Sequence, residues 1–136
     1  MNPPLLRVVS FGYGHGPAPT ADITLDLRRS LRNPHHDPAM RHMTGLDERV
    51  YQHVLDTPGA RHLAAQTTLA AHMLLTETSS PVVTVAAGCV GGRHRAVAMA
   101  REIEQQARSY AAAAGYEVQL VHRDVHRDVL PSSVHS

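Results

Sequence analysis

Between Pro81 and Gly115 the chain reads "PVVTVAAGCVGGRHRAVAMAREIEQQARSYAAAAG", and this passage limits the fold more than any other. Residues 82–89 form a continuous apolar run bounded by Pro81 and Gly88, the pattern of a strand buried on both faces. Residues 95–115 are rich in Ala, Glu, Gln and Arg and stop at a glycine, which predicts a long helix. "YEVQLVHRD" follows and predicts another strand. Strand, helix and strand make a βαβ unit over residues 82–121, whose strands are parallel and whose crossover is right-handed.

The segments upstream extend the same sheet. "LLRVVSF" (residues 5–11) predicts a strand that ends in the Gly/Pro loop "GYGHGPAP". In "DITLDLR" (residues 22–28), Ile23, Leu25 and Leu27 alternate onto one face, so a second strand is expected. The turn signals Asn33-Pro34, Asp37-Pro38 and Thr44-Gly45 predict an irregular loop after it. Helices are expected at residues 46–57, where Leu46, Val50 and Val54 mark one face, and at 60–78. The order β, β, α, α, β, α, β gives a single α/β domain with a central, roughly four-stranded sheet, flanking helices and a C-terminal βαβ unit. Its core should run from about residue 5 to 124, with residues 125–136 as a flexible tail.

Composition narrows the function. All 13 basic residues are Arg, so no Gly-Lys-Ser/Thr phosphate loop exists in the chain. A net charge of +1 gives no nucleic-acid signature. No apolar run nears the ~20 residues of a membrane span, and the N-terminus lacks a signal-peptide pattern. The single cysteine rules out an internal disulfide, and a cytoplasmic location is expected. The 11 histidines are scattered. His122 and His126 lie four apart but run from a strand into a polar tail, so no metal centre and no cofactor is expected.

The chemistry concentrates at residues 88–95. They lie between a buried strand and a helix, where open α/β sheets bind ligands. Gly91 and Gly92 let backbone amides approach an anion, and the helix start adds free N–H groups and its positive dipole end. Arg93, His94 and Arg95 supply further donors, with Arg suited to gripping phosphate by two parallel hydrogen bonds. Cys89, Val90, Gly91, Gly92, Arg93, His94 and Arg95 are therefore the candidate phosphate cradle.

An alternative reading shares these letters. Cys89 to Arg95 is Cys-x5-Arg, the loop of cysteine-dependent phosphatases, in which a thiolate attacks phosphorus while Arg holds the oxygens. Those enzymes usually carry a hydroxyl residue after the Arg and often a His before the Cys. This chain has Ala96 and Gly88 there. The loop "RNPHHDPAMRHMTGLD" offers a second polar set. Asn33, His35, Arg41, Thr44 and Asp47, with Asp26 from the second strand, suit sugar hydroxyls or an amine. Thr44 and Asp47 are equally suited to capping the helix that follows.

Five ordered motifs now share one likeness. "SFGYGHG" (10–16), "LDLR…NPH" (25–35), "MTGLD" (43–47), "GCVGGRHRAVAMA" (88–100) and "VHRD" (121–124) resemble the C-terminal domain of the RapZ family. Proteins of that family carry a P-loop nucleotide-binding domain followed by this one, so the resemblance implies a free-standing C-terminal domain, with a separately encoded P-loop partner as one expectation. It also implies sensing of glucosamine-6-phosphate, binding of small regulatory RNAs for presentation to an endoribonuclease, and assembly into a homo-oligomer. The family's domain is likened to the sugar-phosphate-binding part of phosphofructokinase. The expected function is thus a non-catalytic sensor or adaptor for a small phosphorylated metabolite. Carried over, the family's glycine loop falls on residues 89–95, and its sugar-side motifs fall on His15, Asp26, Asn33, His35, Thr44, Gly45 and Asp47. This chain departs at four places. Val90 replaces a usual Thr, Ala96 a usual Ser, Gly14 a usual basic residue, and "HRDVLPSSVHS" a lysine-rich tail. RNA stays among the implied partners, although the basic surplus that backbone-phosphate binding draws on is absent.

Overall fold

A computed structural model of the chain describes residues 3–131, so the end of the expected tail, residues 132–136, lies outside the described residues. Four strands, β1 (Leu5–Gly12), β2 (Ile23–Asp26), β3 (Val82–Cys89) and β4 (Glu117–His122), form one sheet in the order β2-β3-β1-β4. All three pairings are parallel. The helices are α1 (Glu48–Leu55), α2 (Ala60–Thr76) and α3 (Arg95–Ala114). The predicted fold class and element order hold; β3 keeps its expected bounds, β1 runs one residue further to Gly12, and the other elements end one to two residues inside those expected. α1 starts at Glu48 rather than 46 because Asp47 takes the N-cap, its side chain accepting a hydrogen bond from Arg49 N at 2.9 Å. β2 stops at Asp26, and its carboxylate turns outward onto Arg28.

The central strand β1 lies between β3 and β4, so the β3–α3–β4 crossover passes over it. Leu6 and Val8 of β1 share one face with Val83, Val85 and Ala87 of β3, and pack with Val54, Ala64, Ala71, Met99 and Ile103 in a single core. Ala96, Ala98, Ala100 and Ala107 of α3 are buried, which lets this helix lie close over three strands. On the opposite face, Arg7 and Gln119 are exposed and bonded to each other at 3.0 Å. The loop after β1 begins with a 3-10 turn at Tyr13–His15 that was not read from the sequence.

The register sets the ends. Gly12 pairs with Cys89 and Phe11 with Gly88, so the loops after β1 and β3 leave the sheet side by side at its carboxyl edge. Asp26 pairs with Gly88, which brings the end of β2 to the same edge.

Candidate functional site

Two close approaches shape the glycine loop. Gly92 has φ +71°, and a Cβ there would come within 2.6 Å of Gly12 N. Only glycine meets both demands. Gly88 faces the only phenylalanine, and a side chain at 88 would collide with the Phe11 ring at 2.3 Å. The histidine expected before a phosphatase cysteine therefore has no room here.

The loop is clamped from the β2–α1 side. Gly45 N donates to Arg93 O at 2.7 Å, and Arg101 Nη1 donates back to Gly45 O at 2.7 Å. Arg93 reaches His42 O at 2.5 Å and Met43 O at 3.3 Å through Nη2, and Arg127 O at 3.0 Å through Nη1. His94 Nε2 lies 3.1 Å from Arg41 O. A carbonyl only accepts, so Nε2 carries the proton. Burial, reinforced by the neighbouring Arg93 charge, pushes the His94 pKa down to about 4, so the ring is neutral at pH 7. His94 is also the N-cap of α3, and its side chain makes no capping bond.

Arg95 opens α3 but turns back toward β2. Its Nη1 donates to Leu27 O at 3.0 Å and to Arg28 O at 2.7 Å. Burial lowers the pKa of both Arg93 and Arg95, a sign that each charge lacks full compensation. The Nε atoms of both are buried with no hydrogen-bond partner. Cys89 Sγ, also buried, accepts from Ala96 N at 3.4 Å.

One pocket gathers Asn33, His35, Cys89, Gly91, Arg93, His94 and Arg95, together with Val129 and Leu130 from beyond β4. No carboxylate is among these lining residues. Its volume is about 10 Å³, close to one water. Beside it is a cleft of about 240 Å³ lined by Tyr13, Gly14, Arg28 and Val90. Two sequence-selected sets thus meet in part. From the phosphate set, Val90 faces the outer cleft and Gly92 packs on Gly12. From the sugar set, Asn33 and His35 reach the pocket, with Asn33 Oδ1 also accepting from His35 N at 3.1 Å.

The others are placed elsewhere. Thr44 Oγ1 accepts from Leu46 N at 3.1 Å, Asp47 caps α1, and a Cβ on Gly45 would come within 2.8 Å of the α3 backbone. These three shape the clamp rather than line the pocket. Asp26 forms a 2.6 Å ion pair with Arg28, whose side-chain hydrogen bonds hold the carboxyl at about 2. The Arg28 guanidinium lies 3.8 Å from the Tyr13 ring centroid. His15 lies beyond β1 near Asp124, with its Nε2 buried and unpartnered.

Asp124, the end of the VHRD motif, was given no role from sequence, and it anchors the loop after β1 beside the site. It is buried, and its Oδ2 accepts from Gly12 N at 2.8 Å and from Arg123 Nε at 3.0 Å. Burial works against its ionisation, but the hydrogen bonds from Arg123 and Gly12 outweigh it and leave the pKa below the usual value. A lone acid just past an edge strand carries little signal, because its partners come from 112 residues upstream as well as next door.

Among the described residues no group of three or more His, Cys, Asp or Glu is placed to hold a metal, and no helix is long and apolar enough to cross a membrane.

Comparison with known proteins adds a family match. A model described as the RapZ C-terminal domain matches residues 4–126. A nucleotide-binding protein of Thermus thermophilus is 44% identical over 127 residues, covering 91% of this chain and 44% of that protein. Nucleotide-binding proteins of Streptomyces griseus and Thermobifida fusca are each 40% identical, covering 89% and 90% of this chain but 36% and 41% of their own lengths. The chain thus spans less than half the length of these relatives.

Proposed function

The chain belongs to the RapZ C-terminal domain family, and from that premise we propose that it is a non-catalytic binding module for a small phosphorylated metabolite, an amino-sugar phosphate such as glucosamine-6-phosphate. The phosphate is held at residues 89–95, with Arg95 and Arg93 as the cationic partners. Asn33 and His35 meet the part of the ligand next to it. One observation carries this reading. Arg93 and Arg95 line a pocket with no carboxylate in its walls, and the Nε–H of each is buried without a partner. An unsatisfied buried donor costs about 1–3 kcal/mol, more for a charged one, and a phosphate oxygen removes that cost.

The phosphatase alternative has less support. Cys89 Sγ is buried and already accepts the Ala96 N–H. Ala96 offers no hydroxyl to assist a leaving thiolate, and Phe11 excludes a histidine at position 88.

Calorimetric titration with glucosamine-6-phosphate tests the reading. Arg95→Ala should weaken binding at least tenfold, since charge-assisted hydrogen bonds contribute about 1.5–3 kcal/mol. Unchanged affinity in that variant would remove Arg95 from the site.

A further inference from the structure

We propose that residues 124–130 form a strap, latched by Leu130, that closes the anion pocket and must lift before a ligand can enter. This rests on the binding reading above and adds its regulation.

The strap has an anchored root and a weakly held tip. At the root, Asp124 accepts the Gly12 N–H at 2.8 Å, and its Oδ1 lies 3.2 Å from Arg127 Nε. Arg127 N donates to Asp124 O at 3.1 Å, which makes a turn, and Val125 is buried. Beyond the turn, residues 128–131 adopt neither helix nor strand. A segment of this kind opens at low free energy compared with the sheet it leans on.

The tip sits where a ligand must go. Val129 and Leu130 are the aliphatic walls of the pocket that holds Cys89, Arg93 and Arg95. A Cβ on Gly14 would come within 2.4 Å of Leu130 Cδ1, so Leu130 lies directly over Gly14. Gly14 lines the outer cleft. Leu130 therefore stands between a pocket of about 10 Å³ and a cleft of about 240 Å³. Small-molecule sites usually occupy about 300–1,000 Å³, so the closed pocket admits no sugar phosphate, while the two spaces joined approach that size.

Closure is reversible because the tip and an anion have the same site to fill. The apolar tip shares the pocket with Arg93 and Arg95, whose buried Nε–H groups have no partner, and an anion that displaces the tip would offer them oxygens. Ligand and strap thus compete for one place, and the ligand shifts the population toward the lifted state.

Cys89, the sole cysteine, lies beneath the strap and reports its position. The experiment measures alkylation of Cys89 by neutral iodoacetamide, read by intact mass, in the full chain and in Leu130→Ala and Gly14→Ala. Thermal melts are run alongside. Both variants remove the latch, one from each side, and should be alkylated at least tenfold faster without a matching loss of overall stability. Glucosamine-6-phosphate should bind Leu130→Ala more tightly than the unaltered chain and slow its alkylation. Equal alkylation rates in all three proteins would overturn the strap, whatever the ligand does. So would an acceleration fully accounted for by a lowered melting temperature. Faster alkylation that glucosamine-6-phosphate does not slow, with no binding to any of the three, would uphold the strap and overturn the ligand reading.

Discussion

Arg95 and His94 sit next to each other and answer burial in opposite ways. Arg95 keeps its charge, as guanidinium does in proteins, and ties two donors to the carbonyls of Leu27 and Arg28. His94 gives up its charge and becomes a neutral donor to Arg41 O. The second response makes stability depend on pH. His94 has a folded-state pKa of about 4 against an ordinary 6.5, so between these values the unfolded chain binds the extra proton. The stabilisation is therefore complete above about pH 6.5 and is lost as pH falls toward 4, on the order of 3 kcal/mol in total. Burial shifts His35 and His122 in the same direction. Urea denaturation across this range should show stability falling with acid, and His94→Gln should flatten the slope. Of this chemistry, the sequence carried the donors but not their states. The cluster Arg-His-Arg is visible as letters, whereas the carbonyls that fix each side chain come from residues 27–43 and from Arg127.

At the scale of elements, β3 and α3 were readable because each pattern is long and internally consistent. An eight-residue apolar run and a 20-residue alanine-rich helix leave few alternatives. The glycine loop between them is fixed by tertiary contact. Gly92→Ala would force a side chain into the left-handed region and against Gly12 N, and should destabilise the protein by about 1–3 kcal/mol in chemical denaturation. The join between α1 and α3 includes a buried polar pair. Tyr51 donates its hydroxyl to the Glu102 carboxylate through a short hydrogen bond, and burial together with that bond raises the phenol pKa to about 12. Tyr51→Phe removes one donor from a largely buried carboxylate that keeps Gln106 Nε2 at 2.8 Å and Arg61 at 3.7 Å, and should cost about 1 kcal/mol in the same assay. Helical periodicity marks Tyr51 as a core position without revealing that it serves a glutamate. Thr44 and Asp47 had two readings in the sequence. Asp47 caps α1 and Thr44 accepts from Leu46 N, local bonds to neighbours two residues away that were legible from the start.

The whole molecule has helices on one face of a parallel sheet and its polar chemistry at the carboxyl edge. That edge was foreseeable from connectivity alone, since a strand–glycine–helix passage places its loop there whatever the side chains. The closure of the edge was not foreseeable. "HRDVLPSSVHS" carries no periodicity, and Val129 and Leu130 look like stray apolar residues in a polar end. Their role depends on Gly14, more than 100 residues away in sequence but in contact in space. In the function proposed above, a phosphorylated sugar is held at this edge by Arg95. Calorimetric titration of glucosamine-6-phosphate into the unaltered chain, Leu130→Ala and Arg95→Ala tests it most directly. Binding should be saturable for the first two, tighter in Leu130→Ala, and at least tenfold weaker for Arg95→Ala. Equal affinity in Arg95→Ala, or no binding even to Leu130→Ala, would contradict it.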